Sequence, residues 1–216
     1  MNKELFFIIG NISSLVIIVP IVFAILKYNR LNKVQVSLGY ILILVFIVEL
    51  ITNIFWHKKI NNLPIFHFYA IFEFLLIVNI YKSALSGLFS KGVFIILAIG
   101  FTAFAIINMF FFQNIFEFNS NVTTVMGVLV VFFALSYFYK LLKEVRYSAL
   151  ETNPMFWINS GFLIYFSSNL ILFFINNNLF KEASEASYMV WGLHAIVNII
   201  LILFYTIAIW VKPKEQ

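Results

Sequence analysis

Seven apolar runs, each long enough to cross a bilayer, constrain the fold of this 216-residue chain more than any other feature. A hydrocarbon core about 30 Å thick is crossed by about 20 residues of helix rising about 1.5 Å each. No water is present there to satisfy backbone N–H and C=O groups, so each run closes its hydrogen bonds internally as a helix. The runs are placed at 5–26, 35–56, 64–83, 92–112, 122–142, 155–177 and 189–211. The connections carry the breakers: Asn61-Asn62-Leu63-Pro64, Ser86-Gly87, Asn119-Ser120-Asn121, Asn153-Pro154 and Asn176-Asn177-Asn178. None is long enough for a soluble domain. The expected architecture is a single all-α domain over residues 1–216, a bundle of seven transmembrane helices.

Composition agrees and excludes much chemistry. Hydrophobic residues make up 63% and charged residues 11%, too apolar a balance for a soluble core of this length. Cysteine is absent, as is aspartate, so thiolate, disulfide and aspartyl mechanisms are out of reach. The net charge of +5 does not point to nucleic acid, because the basic residues lie between spans. Ten of them (Lys27, Arg30, Lys33, Lys82, Lys91, Lys140, Lys143, Arg146, Lys212 and Lys214) fall on one side and four (Lys3, Lys58, Lys59 and Lys181) on the other. By the positive-inside rule the N-terminus is expected outside and the C-terminus in the cytoplasm, as in a multi-pass protein of a bacterial inner membrane. Val22-Phe23-Ala24 resembles a signal cleavage site. Its apolar run is too long, however, and the basic cluster follows it, so the first span is read as retained. No span holds a lysine in its interior, which excludes a retinal Schiff base in the last helix.

The polar residues within spans gather at one depth. Counted from the outer ends, His194 lies about 8 Å deep and Glu49 about 10 Å, while Glu73, Ser168, Asn169 and Asn198 lie about 12–15 Å deep. Helical spacing sorts them into stripes: Glu49, Asn53 and Trp56 in the second span; Tyr69 and Glu73 in the third; Trp157, Gly161, Tyr165, Ser168 and Asn169 in the sixth; Trp191, His194, Asn198 and Tyr205 in the seventh. His67 points to another side of the third span. The bland readings are specific. Trp56 and Trp191 suit an interfacial aromatic belt; Gly161 and the serines suit helix packing, and Asn169 and Asn198 suit interhelical hydrogen bonds. The two carboxyls resist such a reading, because an ionisable group in a bilayer costs about 2.5–3.5 kcal/mol on insertion scales. With no Lys or Arg inside any span, Glu49 and Glu73 must be protonated, hydrated, ion-bound or paired with a histidine.

The preferred expectation is a receptor-like or sensory protein that binds a small polar or cationic ligand in an outward chamber between the second, third, sixth and seventh spans. Glu73 and His194 are its central contacts, supported by Glu49, Tyr69, Tyr165, Ser168, Asn169 and Asn198. No cofactor or metal is expected. The partners are the lipid bilayer, the ligand and a signalling protein meeting the basic face near Lys140, Lys143 and Arg146. Two alternatives stand beside it. A proton- or cation-coupled transporter would use spans 1–3 and 5–7 as parallel repeats around the fourth, an arrangement similar to the SWEET sugar carriers. In that register Tyr69-Ala70-Ile71-Phe72-Glu73 aligns with His194-Ala195-Ile196-Val197-Asn198. A metal-dependent lipid hydrolase would take Glu73, His194, and Glu49 or His67 as zinc ligands, though no two of these sit one turn apart on one helix.

The runs His67-Phe68-Tyr69-Ala70-Ile71-Phe72-Glu73-Phe74 and Trp157-Ile158-Asn159-Ser160-Gly161-Phe162-Leu163-Ile164-Tyr165-Phe166 resemble small seven-helix bacterial membrane proteins of unassigned activity. The resemblance implies a stand-alone bundle akin to the membrane input modules of sensor kinases, and implies no catalytic residues.

Overall fold

The computed structural model describes residues 3–144, 150–179 and 185–212, without the side chains of 175–179 and 185–187. Among these residues all regular structure is helical: α1 (Lys3–Val16), α2 (Ile18–Leu26), α3 (Lys33–His57), α4 (Leu63–Ala84), α5 (Lys91–Phe111), α6 (Ser120–Glu144), α7 (Pro154–Leu179) and α8 (Glu185–Trp210). With α1 and α2 counted together, seven helical segments are long and apolar enough to cross a membrane, as expected of a multi-pass membrane protein. Their outward faces carry Ile96, Phe110, Ile171 and similar exposed side chains, as lipid contact requires.

The helix ends follow local chemistry. Asn32 and Gln35 form a reciprocal capping box that starts α3, and Asn153 accepts the Met155 N–H at the start of α7. Pro64 and Pro154 occupy first-turn positions, where the missing N–H costs nothing. Pro20 lies inside the first span and breaks it: the helix stops at Val16, turns at Ile17 and restarts at Ile18. Its ring cannot coexist with the carbonyl four residues earlier, that of Val16. The last turn of α7 runs through Asn176-Asn177-Asn178 to Leu179, so these residues extend the span rather than interrupt it.

Packing arranges six spans in a closed ring. The first span (α1 with α2) neighbours α3, then follow α4, α6, α7 and α8, which returns to α1 and α2. Helix α5 stands outside, against α4 and α6. The tightest seams, α6 with α7 and α7 with α8, are where glycines let helices approach. A Cβ added at Gly161 would come within 3.0 Å of Phe204 Cβ, and one at Gly127 within 2.9 Å of Leu170 Cδ1.

The end of the ring where the odd-numbered spans finish is closed by internal hydrogen bonds. Tyr81 Oη donates to Asn159 Oδ1 at 2.7 Å, and Asn159 Nδ2 donates to the Ala134 carbonyl at 3.2 Å, tying α4, α7 and α6 together. Gln35 Nε2 donates to the Ala208 and Val211 carbonyls at 2.8 and 3.0 Å and so finishes α8. Lys140 finishes α4 through the Ala84 and Ser86 carbonyls. Lys27 donates to the Trp210 carbonyl and lies 3.6 Å from that indole's centre. Burial, then the Lys212 and Arg30 charges, lower its pKa.

Candidate functional site

The ring encloses a cavity of about 1210 Å³ in the half of the bundle where α4, α6 and α8 begin. Five of the side chains expected from the sequence line it: Glu49 on α3, Tyr69 and Glu73 on α4, Tyr165 on α7 and His194 on α8. Two helix pairs far apart in sequence, α3 with α4 and α7 with α8, therefore bring polar side chains to one space. Hydroxyls stand beside Glu73 and Glu49. Tyr69 Oη donates to Glu73 Oε1 at 2.7 Å, one helical turn away, and the Ser14 hydroxyl of α1 lies near the Glu49 carboxyl. Glu73 is 9% exposed, and Tyr165 lies in electrostatic range of both carboxyls.

His194 is held by an amide. Asn169, 2% exposed, donates from Nδ2 to the Tyr165 carbonyl at 2.8 Å, and its Oδ1 lies 2.8 Å from His194 Nδ1. A carbonyl can only accept, so the amide has one orientation: its oxygen faces the imidazole. Nδ1 must then carry the proton, and in the neutral ring Nε2 keeps its lone pair. Aromatic rings enclose the imidazole, with Trp191 at 5.2 Å, Tyr165 at 5.7 Å and Phe173 at 6.0 Å between centroids.

The other expected residues take different places. Asn169 stands behind the cavity wall and acts through His194. Asn198 is turned to the first span, donating to Ser13 Oγ at 2.9 Å, and does not line the cavity. Ser168 is exposed on the outside of α7, one position from the buried Asn169. On α3, Asn53 is exposed, whereas Thr52 is buried and bonds the Glu49 carbonyl. Both Trp56 and Trp191 line the mouth, although Trp56 is 67% exposed. Tyr205 is buried against Phe162.

The mouth has a wall absent from the sequence expectation. The connection between α5 and α6 contributes Phe116, Glu117, Phe118 and Asn119 to the lining. It is pinned to the start of α4 by Asn61 Nδ2 on the Phe116 carbonyl (3.1 Å), His67 Nε2 on the Glu117 carbonyl (3.0 Å) and Asn119 Nδ2 on the Phe66 carbonyl (3.0 Å). His67 is thus a structural donor facing away from the carboxyls. Phe118 packs edge-on to Trp191 at 5.8 Å. Asn119 is fully buried, and among the described residues its Oδ1 has no hydrogen-bond partner.

Among the described residues no three His or Glu side chains come close enough to hold a metal ion, so the zinc set Glu73, His194 and Glu49 or His67 is not assembled. On the basic face Lys140 serves the end of α4 and pairs with Glu144 at 3.8 Å, while Lys143 is exposed. Arg146 lies outside the described residues, as do Lys181 and Lys214. No protein family, curated protein or solved structure matches the chain.

Proposed function

We propose that the protein is a receptor-like or sensory membrane protein that captures a small polar or cationic molecule in this cavity. One observation carries the reading: Glu49, Glu73 and His194, costly in a bilayer and supplied by three different helices, meet in one cavity large enough for a small molecule. Tyr69 orients Glu73 and Asn169 orients His194. The positive-inside rule puts the cavity mouth outside the cell, in a bacterial inner membrane. The opposite half is packed with Phe74, Ile77, Tyr81, Phe133 and Phe162 and supports entry from one side only. A signal would then pass to a partner protein at the basic face, where Lys143 is exposed. This arrangement fits the kinship with small seven-helix input modules implied by the sequence runs.

A coupled transporter is the second reading, supported by the ring: with α5 outside, spans 1–3 and 5–7 could form two like halves. One experiment separates them. The chain has no cysteine, so Thr123→Cys places a single thiol at the cavity wall. A membrane-impermeant thiol reagent should label it from outside intact cells and not from the cytoplasmic side of inverted vesicles. Labelling from both sides would favour transport. Labelling from the cytoplasmic side alone would overturn both the orientation and the capture reading.

A further inference from the structure

We propose that the cavity recognises a protonated amine carried on an apolar body. The proposal rests on the capture reading above and adds the chemistry of the ligand.

Charge is the first support. Three glutamates (Glu49, Glu73 and Glu117) are among the lining residues, and among the described residues no Lys or Arg lines the cavity. The second support is independent of charge. Asn119 is fully buried, and its Nδ2 is committed to the Phe66 carbonyl. A flip would set oxygen against oxygen, so Oδ1 is fixed as an acceptor, and among the described residues nothing donates to it. A buried acceptor without a donor is uncommon and calls for an external N–H or O–H. His194 adds a third acceptor, because the Asn169 amide holds the proton on Nδ1 and leaves Nε2 bare. The carboxyls, the imidazole and the orphaned amide oxygen therefore ask for the same thing, a ligand that donates. An ammonium group donates through two or three N–H bonds and matches the carboxyl charge. The walls suit the rest of it: Trp56, Trp191, Tyr69 and Tyr165 line the cavity with aromatic rings, whose faces attract cations and whose surface covers hydrocarbon.

The ammonium can belong to a free amine or to an aminolipid headgroup. Full-length protein in phosphatidylglycerol nanodiscs should be titrated calorimetrically with 2-phenylethylammonium, 2-phenylethanol and 3-phenylpropionate, which differ mainly in charge and donor count. The ammonium should bind at least about tenfold more tightly than either of the others. In Glu73→Gln that preference should fall by about tenfold while the alcohol is unaffected. Competition by added phosphatidylethanolamine supports the headgroup as the natural source, and its failure to compete supports a free amine. Alcohol or carboxylate binding as tightly as the ammonium overturns the amine assignment and leaves capture standing. No binding by any of the three overturns capture as well. If Glu73→Gln does not fold, the three-probe comparison on the unaltered protein decides alone.

Discussion

The orientation of His194 can be tested at the level of a single proton. Asn169 Oδ1 sits 2.8 Å from His194 Nδ1, and the amide is locked by its 2.8 Å bond to the Tyr165 carbonyl. Moving the imidazole proton to Nε2 would set two lone pairs against each other in a buried site. The lost bond and stranded acceptor cost about 1–3 kcal/mol, a bias of about 5-fold to more than 100-fold toward the Nδ1–H form. The experiment is ¹⁵N spectroscopy of histidine-labelled protein at a pH where the ring is neutral. His194 should appear protonated on Nδ1. His67 supplies an internal contrast, since its Nε2 faces the Glu117 carbonyl at 3.0 Å and must carry the proton there. In Asn169→Leu the bias is removed and the His194 tautomers should mix, while His67 stays as it was. Membrane hydrogen bonds average only about 0.6 kcal/mol, so the fold should survive this change. An Nε2–H form of His194 in the unaltered protein would refute the reasoning, as would an Asn169→Leu spectrum with the original ratio.

Two further expectations concern the scaffold. Gly161→Val should destabilise the bundle by about 1–3 kcal/mol in a reversible detergent-unfolding assay, because its Cβ would meet Phe204 Cβ at 3.0 Å. Gly10→Val, with nothing within 4 Å, is the control and should change stability far less; equal losses would refute the seam. A double-mutant cycle of Tyr81→Phe and Asn159→Leu should return a coupling of about 0.6–1.7 kcal/mol for their 2.7 Å hydrogen bond, and strict additivity would show that the bond contributes nothing.

Within each span, much of this arrangement is legible in the residues. Hydropathy marks the seven segments, and Pro64 and Pro154 mark helix starts. The three- and four-residue spacing pairs Tyr69 with Glu73 correctly and sets His67 apart. Spacing is too coarse to separate residues about 100° apart at the edge of a stripe. Ser168 and Asn169 are adjacent, yet one is exposed and the other is 2% exposed. Likewise Asn198 shares a face with His194 but meets Ser13 of the first span, because α8 packs against α1 as well as α7. The loop contribution carries no periodicity at all. Asn119 read as a turn residue, and nothing local announces that its side chain reaches Phe66. The buried Tyr81–Asn159 pair and the reach of Gln35 to the end of α8 were equally hidden, since each joins residues at least 78 positions apart.

The sequence by itself determined that the chain forms membrane-spanning helices and that its costly groups sit at one depth. Both follow from local physics: unpaired backbone groups are intolerable in hydrocarbon, and rise per residue converts position into depth. Only the tertiary structure decided that six spans close a ring with α5 outside, and which polar residues look into the space within. That choice depends on how each helix is rotated about its axis. Rotation is set by contacts between distant segments, such as Gly161 against Phe204 and Asn169 against His194, for which helical periodicity has no term.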